Sequence, residues 1–234
     1  MRTDIWDDRG VTDVLADPFN AALDGPHSRF REVSGRIQRY RADVSVFYGH
    51  PRELTAEDYI HVARLAGDTG IAVLRDRATA LPAGWSVVET FGLVQYEGSE
   101  IEAAPDPAAI PLTPADVPEM TALVERTKPG PFLPRTIELG TYLGIRAADG
   151  SLVAMAGERM RPTGFTEISA VCTAPEARGQ GLASRLIRAI AHGIRERDET
   201  PFLHTSSDNP AQRLYKAMGF TLTRTVPLEI VRIS

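Results

Sequence analysis

Cysteine is almost absent from this sequence of 234 residues, in which Cys172 is the single example. A disulfide within the chain is therefore excluded, and the composition gives no support to secretion. Residues 1–10 are acidic and polar rather than basic and then apolar, and no apolar run approaches the length of a membrane span. We therefore expect a cytoplasmic protein with no membrane partner.

An excess of positive charge is also missing. The chain has 26 Lys and Arg residues against 31 Asp and Glu residues, a formal net charge of -5. Nucleic-acid-binding proteins usually present a net basic face, so we expect no nucleic-acid partner, although a local basic pocket for a polyanionic cofactor stays open. Hydrophobic residues make up 43% of the chain and charged residues 24%, which is typical of a globular protein and excludes disorder as its main state.

A proline-rich stretch interrupts the middle of the chain. Prolines occur at positions 105, 107, 111, 114 and 118, and no long regular element tolerates that density. We therefore predict a linker at 103–110 that separates a first unit, 1–102, from a second unit, 111–234. No internal repeat is visible by eye.

The first unit has the pattern of a mixed α/β structure. Thr55 followed by Asp58 predicts a capping box that opens a helix. A short helix is predicted at 18–23, and strands are predicted at 42–48, 70–74 and 85–96. The unit shows no catalytic constellation, and its histidines lack the spacing of metal ligands, so no metal is implied; they are His27, His50 and His61.

The second unit has a clearer pattern. Thr113 and Pro114 predict a helix that runs to about residue 126. A hairpin of strands 141–146 and 152–161 is expected around the turn dipeptide Asp149-Gly150, with Arg159 and Arg161 as solvated charges at its end. The remaining predictions are strands 165–173 and 201–205, helices 181–195 and 210–218, and one or two closing strands within 221–233.

The most informative stretch is residues 178–183, between a predicted strand and a predicted helix. Gly179 and Gly181 allow a tight turn and the close approach of a ligand to the main chain. The first free N–H groups of the helix favour a phosphate there, and Arg178 adds a charged donor. The pattern therefore predicts a phosphate site, although a strand-to-helix turn without a ligand has the same residues.

Known phosphate-binding patterns compete for this stretch. A P-loop requires Lys and then Ser or Thr after its last glycine, whereas Leu182 and Ala183 follow here, which excludes it. A dinucleotide fingerprint lacks its acidic residue on the next strand, although the glycine spacing alone does not dismiss it. The spacing Arg178-x-x-Gly181-x-Ala183 resembles the pyrophosphate loop of the GNAT superfamily of acyl-CoA N-acyltransferases.

A second stretch supports the same resemblance. An apolar strand at 202–204 precedes Asn209, and a helix carrying Tyr215 ends at Gly219. Together the two motifs cover 167–220 in the order and spacing of GNAT proteins. Asn209 lies six positions before Tyr215, where seven is commoner in that family, so Ser207 or Asp208 could share the role of Asn209.

The resemblance implies a GNAT fold in the second unit and a set of site residues. The strand that leads into the loop and the next parallel strand would separate, and pantetheine would lie between them. Tyr215 would protonate the departing thiolate, unless it is a core aromatic. The implied cofactor-binding residues are Ala170, Val171, Cys172, Arg178, Gly179, Gln180, Gly181, Leu182, Ala183 and Asn209.

A general base has several candidates. Glu167 begins the strand that leads into the loop, where some GNAT members place a glutamate base, and Glu158 and His204 are rivals. An acyl-cysteine on Cys172 has no activating base beside it in the sequence. In the first unit, stretches 19–27 and 82–85 resemble two-unit GNAT proteins related to the glycine N-acyltransferase-like group. In those proteins the first unit is a degenerate copy of the GNAT fold that forms part of the acceptor site.

These resemblances predict an N-acyltransferase that moves acetyl or another short acyl group from acetyl-CoA, or another acyl-CoA, directly to a primary amine. The acceptor would be a small molecule or a peptide, and the sequence leaves a homodimer open. Two alternatives stay: a non-catalytic acyl-CoA sensor and a nucleotide-dependent oxidoreductase.

Overall fold

The computed structural model describes residues 14–233 of the chain. Its helices are α1 (Pro18–Asp24), α2 (Ala56–Ala66), α3 (Val117–Thr127), α4 (Leu182–Arg195) and α5 (Gln212–Ala217). Its strands are β1 (Arg31–Ser34), β2 (Ile37–Tyr40), β3 (Tyr48–Gly49), β4 (Ile71–Arg75), β5 (Ser86–Glu97), β6 (Ile110–Pro111), β7 (Tyr142–Arg146), β8 (Leu152–Glu158), β9 (Phe165–Thr173), β10 (Thr200–Ser206) and β11 (Thr221–Arg232). The predicted mixed α/β class is confirmed.

The centre of the fold is an eight-stranded sheet of order β4-β11-β5-β10-β9-β8-β7-β6. The β9–β10 pair is parallel, and the other neighbouring strands of this sheet are antiparallel. A small antiparallel sheet, β1-β2-β3, has no strand pairing with it and packs against its β4 end. The parallel pair requires a crossover connection, which α4 supplies between β9 and β10.

Both predicted units contribute strands to the large sheet. Strands β4 and β5 come from the first unit, and β5 lies between β10 and β11 of the second. Strand β5 pairs with β10 from Leu93 to Glu97 and with β11 along most of its length. The two units therefore share one hydrogen-bonded sheet. The linker at 103–110 as a boundary between two domains stays a prediction.

Local sequence signals account for several elements. The Thr55 hydroxyl accepts from the Asp58 N–H at 3.2 Å, and the Asp58 carboxylate accepts from the Thr55 N–H at 2.8 Å, so the predicted capping box of α2 is confirmed. Thr113 and Asp116 form the same arrangement before α3. The apolar residues that recur every fourth position along α4 are all buried; they are Leu182, Leu186, Ile190 and Ile194.

The predicted strand 42–48 is wrong, because only β3 at its end is extended in a ladder. The Val44 and Ser45 N–H groups donate to the Arg41 carbonyl and close a turn instead. The Asp43 carbonyl accepts from the Arg135 N–H, and the Val44 carbonyl accepts from the Thr136 hydroxyl. The apolar alternation that predicted a strand reflects side chains that enter the core from this turn.

Candidate active site

Strands β9 and β10 separate after a short parallel ladder. Their paired positions begin at Phe165 with Thr200 and end at Glu167 with Phe202. Beyond this point β9 continues to Thr173, whereas β10 continues to Ser206 paired with β5 on its other side. We call the opening between 168–173 and 203–206 the wedge. Within the described chain, no strand fills it.

A bulge in β9 borders the wedge. Met155 lies opposite Cys172 and Gly157 lies opposite Ser169, so β9 has one residue more than β8 in this interval. Ala170 lies inside it with φ of +52°, an uncommon conformation for a residue with a side chain. The main chain of 170–172 has no β10 partner among residues 14–233, so the polar groups on the edge that faces away from β8 are available to a ligand.

The predicted phosphate loop is open. Gly179 and Gly181 have φ of +78° and +71°, and an added Cβ at either position would meet no atom within 4 Å. The N–H groups of 179–184 donate no hydrogen bond to any group in the described part of the chain, and no side chain caps α4. Free amides at the positive end of a helix dipole favour an anion.

Arg178 is the available cation beside this loop. Its side chain is exposed and makes no ion pair with residues 14–233. Arg185 of α4, by contrast, is held by Asp106 at 2.6 Å, and Arg188 pairs with Glu102 at 3.3 Å. Asp106 of the predicted linker and Glu102 just before it therefore neutralise Arg185 and Arg188, and Arg178 is left without a carboxylate among residues 14–233.

The second predicted motif lies beyond β10. The Asn209 side-chain oxygen accepts from the Ala211 N–H at 2.9 Å, which orders the turn before α5. Tyr215 is 7% exposed, and its ring contacts Tyr96 and Phe220 with centroids 6.2 and 6.0 Å apart. Its hydroxyl donates to no group in the described chain. Burial raises the pKa of Tyr215 to about 12, which keeps the phenol protonated and able to donate.

Comparisons with known proteins agree with this geometry. A family model described as FR47-like protein matches residues 142–227. The structure of a GNAT-family acetyltransferase from Novosphingobium aromaticivorans shares 36% identity with this chain, with a TM-score of 0.85, and the match covers 94% of this chain and 98% of that one. The chain belongs to the GNAT family. Its fold is the predicted GNAT fold, and acyl transfer from acyl-CoA is the chemistry that the family suggests.

A second structure extends the likeness of fold. A GCN5-related N-acetyltransferase from Kribbella flavida has a TM-score of 0.59 at 20% identity, covering 92% of this chain and 95% of that one. A comparison with curated proteins gave no significant match. None of the described helices is long and apolar enough to cross a membrane, and the described residues contain no group of three or more metal-ligating side chains.

In this GNAT protein Glu167 is one half of a buried ion pair. Its carboxylate accepts from Arg159 Nη2 at 2.6 Å and Nε at 2.8 Å, and from the Met160 N–H at 3.2 Å. Burial would raise the pKa of Glu167, but Arg159, together with His204, lowers it to about 2. A fully buried carboxylate of such low basicity is a poor general base, so this environment does not support that predicted role.

Arg159 corrects one sequence interpretation. It was expected to be a solvated charge, yet its side chain is 11% exposed and its guanidinium lies 4.8 Å from the Phe47 ring centroid. Strand β8, which precedes it, is buried at every position. A charge that follows so apolar a strand needs a counter-charge. The sequence signal for the burial of Arg159 was therefore the acidic residue on the next strand, Glu167.

The rival bases also have partners. His204 Nδ1 lies 2.8 Å from Glu167 and its Nε2 lies 3.0 Å from the Gln95 side-chain oxygen, and burial lowers the pKa of His204. Glu158 accepts from Arg197 at 2.8 Å and from the Thr141 N–H at 3.1 Å. Burial raises the pKa of the Cys172 thiol to about 11, which disfavours the thiolate that an acyl-cysteine requires.

Proposed function

We propose that this protein is an N-acyltransferase that transfers acetyl or another short acyl group from acyl-CoA directly to a primary amine. The observation that carries the proposal is the wedge between β9 and β10 with an open, amide-lined turn at its mouth. The two features lie on the same βα unit, so one extended donor with a diphosphate can reach both.

The residues present fit coenzyme A. The free N–H groups of Gly179, Gln180, Gly181, Leu182 and Ala183 would bind the diphosphate, and Arg178 would add a charged donor. The main chain of Ala170, Val171 and Cys172 would pair with the pantetheine amides, because that edge of β9 lacks a strand partner. Asn209 would contact the donor from the turn before α5.

Catalysis would rest on positioning and on one acid. A bound amine held against the thioester gains from proximity, and free backbone donors at the wedge would stabilise developing negative charge. Tyr215 would protonate the departing thiolate, since its hydroxyl is protonated and unbonded. Because Glu167, Glu158 and His204 are held by other groups, we propose that water receives the proton of the amine.

The first unit would wall the acceptor site, as in two-unit GNAT proteins of the glycine N-acyltransferase-like group. Phe19 and Phe47 of the first unit share a core cluster with Phe202, the residue at which β10 leaves β9. The Arg135 side chain pairs with Asp43, which ties the 130–139 stretch to the first unit. The amine of a small molecule or a peptide would enter between the first unit and the second unit.

One observation favours a second candidate, a non-catalytic acyl-CoA sensor. Each predicted base is already bound to a protein partner, and a protein that only binds acyl-CoA needs no free base. Release of free thiol from acetyl-CoA in the presence of amines distinguishes the two, because a sensor binds the donor and releases none.

Thermal unfolding with acetyl-CoA, NAD and NADP tests the donor class first. An acyltransferase is stabilised by acetyl-CoA and not by the nicotinamides. A panel of amino acids, polyamines and peptides, assayed by acetyl-CoA-dependent thiol release, then identifies the acceptor class. Stabilisation by NAD or NADP alone would overturn the proposal, and thiol release by no amine would favour the sensor.

A further inference from the structure

Tyr142 on β7 has a buried hydroxyl without a partner. The residue is 2% exposed, and its phenolic oxygen makes no hydrogen bond. Within residues 14–233 the only other buried side-chain hydroxyl in this condition is that of Thr205. Leaving a buried donor unbonded costs folding free energy, so each example calls for an explanation.

The phenol extends across β8 toward the wedge. Tyr142 is paired with Gly157 of β8, and Gly157 is paired with Ser169 of β9, so the three residues form one row across the sheet. A Cβ added to Gly157 would lie 2.2 Å from Tyr142 Cε1, which shows that the ring covers this glycine. The Phe132 ring packs against it edge-on, 5.7 Å between centroids.

The ring therefore extends from β7 over β8 in the direction of the β9 bulge. Ser169 immediately precedes Ala170, the bulged residue, and lies two positions after Glu167, the last residue of β9 paired with β10. This stretch of β9 adjoins residues 170–172, against which the proposed function puts the pantetheine arm.

We propose that Tyr142 is a further catalytic residue, whose hydroxyl donates a hydrogen bond to the thioester carbonyl oxygen of acyl-CoA during acyl transfer. The inference rests on the proposed function and adds a side-chain donor to it. It accounts for the orphan hydroxyl, because the partner is the substrate.

The role fits the electron flow of the reaction. The amine lone pair forms the new N–C bond, the carbonyl π electrons move to oxygen, and the Tyr142 O–H donates to that oxygen without losing its proton. The amine proton passes to water. The C=O bond then re-forms, the C–S bond breaks, and the thiolate takes a proton from Tyr215, which solvent restores.

Tyr142→Phe tests the proposal, because it keeps the ring over Gly157 and removes the unbonded hydroxyl alone. We expect kcat to fall about a hundredfold, while KM for acetyl-CoA stays within about twofold and the variant unfolds at no lower urea concentration than the wild type. Tyr59→Phe is the matched control, because the Tyr59 hydroxyl is bonded to Thr79 at 3.1 Å in a different core cluster. It should lose stability and keep kcat.

The outcomes separate this inference from the proposed function. If the wild type releases thiol and Tyr142→Phe keeps kcat within about threefold, the role of Tyr142 is wrong and the acyltransferase stands. The role is also wrong if Tyr142→Phe loses stability and activity together, since the hydroxyl would then have a structural partner. If acetyl-CoA neither stabilises the wild type nor is consumed by it, both proposals fail.

Discussion

Arg159 and Glu167 form a bidentate ion pair inside the protein, with N–O distances of 2.6 and 2.8 Å and no exposed surface on the Glu167 side chain. The pair lies where β9 is about to leave β10. Two opposite charges at this depth stabilise each other, and either one alone would be an uncompensated buried charge.

Glu167→Gln should therefore destabilise the protein. Because the change leaves Arg159 buried without a counter-charge, we expect the free energy of unfolding to fall by about 3–5 kcal/mol, measured by urea denaturation. The double variant Arg159→Met, Glu167→Gln should recover part of this loss. If Glu167→Gln keeps its stability and loses kcat by more than a hundredfold, the carboxylate is a base after all.

The same carboxylate should give the protein an acid-sensitive stability. The pKa of Glu167 is about 2 in the folded chain against an ordinary value of 4.5, so its contribution is complete above pH 4.5 and is lost as the pH falls toward 2. By linkage the loss should be roughly 2 kcal/mol at pH 3 and roughly 3 kcal/mol at pH 2. Urea midpoints at pH 7, 5, 4 and 3 measure it, and the double variant should show a shallower decline.

Gly181→Ala should weaken acetyl-CoA binding. An alanine with φ near +71° costs about 1–2 kcal/mol, and its methyl group would point into the open turn where the diphosphate is proposed to bind. Gly150→Ala is the matched control, with φ of +89° and no atom within 4 Å of the added Cβ in a remote hairpin. Calorimetry should show that Gly181→Ala binds acetyl-CoA at least tenfold more weakly than the wild type, whereas Gly150→Ala binds it with wild-type affinity. Equal affinities would remove the loop from the site.

Tyr215→Phe should lower kcat and leave acetyl-CoA affinity within about twofold. Loss of a general acid costs roughly a hundredfold or more in rate, and the phenyl ring keeps the contacts with Tyr96 and Phe220. Because burial raises the pKa of Tyr215 to about 12, the wild-type kcat should not fall between pH 7 and 9 through loss of this proton. An unchanged kcat in the variant would make Tyr215 a core aromatic only.

Elements with local signals were predictable from the sequence. Strand β9 has the predicted bounds, and the capping residues Thr55 and Thr113 begin their helices as expected. The open glycine turn before α4 was predictable for the same reason, since its glycines and the following apolar helix are consecutive in the chain, and its role in binding phosphate stays a prediction.

Features that depend on distant pairing were not predictable. Strand β5 was expected, but its position between β10 and β11 joins residues more than a hundred positions apart, which no local pattern encodes. The burial of Arg159 and the orphan hydroxyl of Tyr142 likewise depend on what the neighbouring strands bring beside them.

The position of β5 between β10 and β11 limits how the chain can be shortened. A polypeptide that starts at Pro111 would lack the strand that satisfies both β10 and β11, and two long rows of unpaired amides and carbonyls would face solvent. Such a fragment should self-associate through those rows rather than behave as a minimal enzyme. The two units must therefore stay on one chain, because β10 and β11 of the second unit form their main-chain hydrogen bonds with β5 of the first.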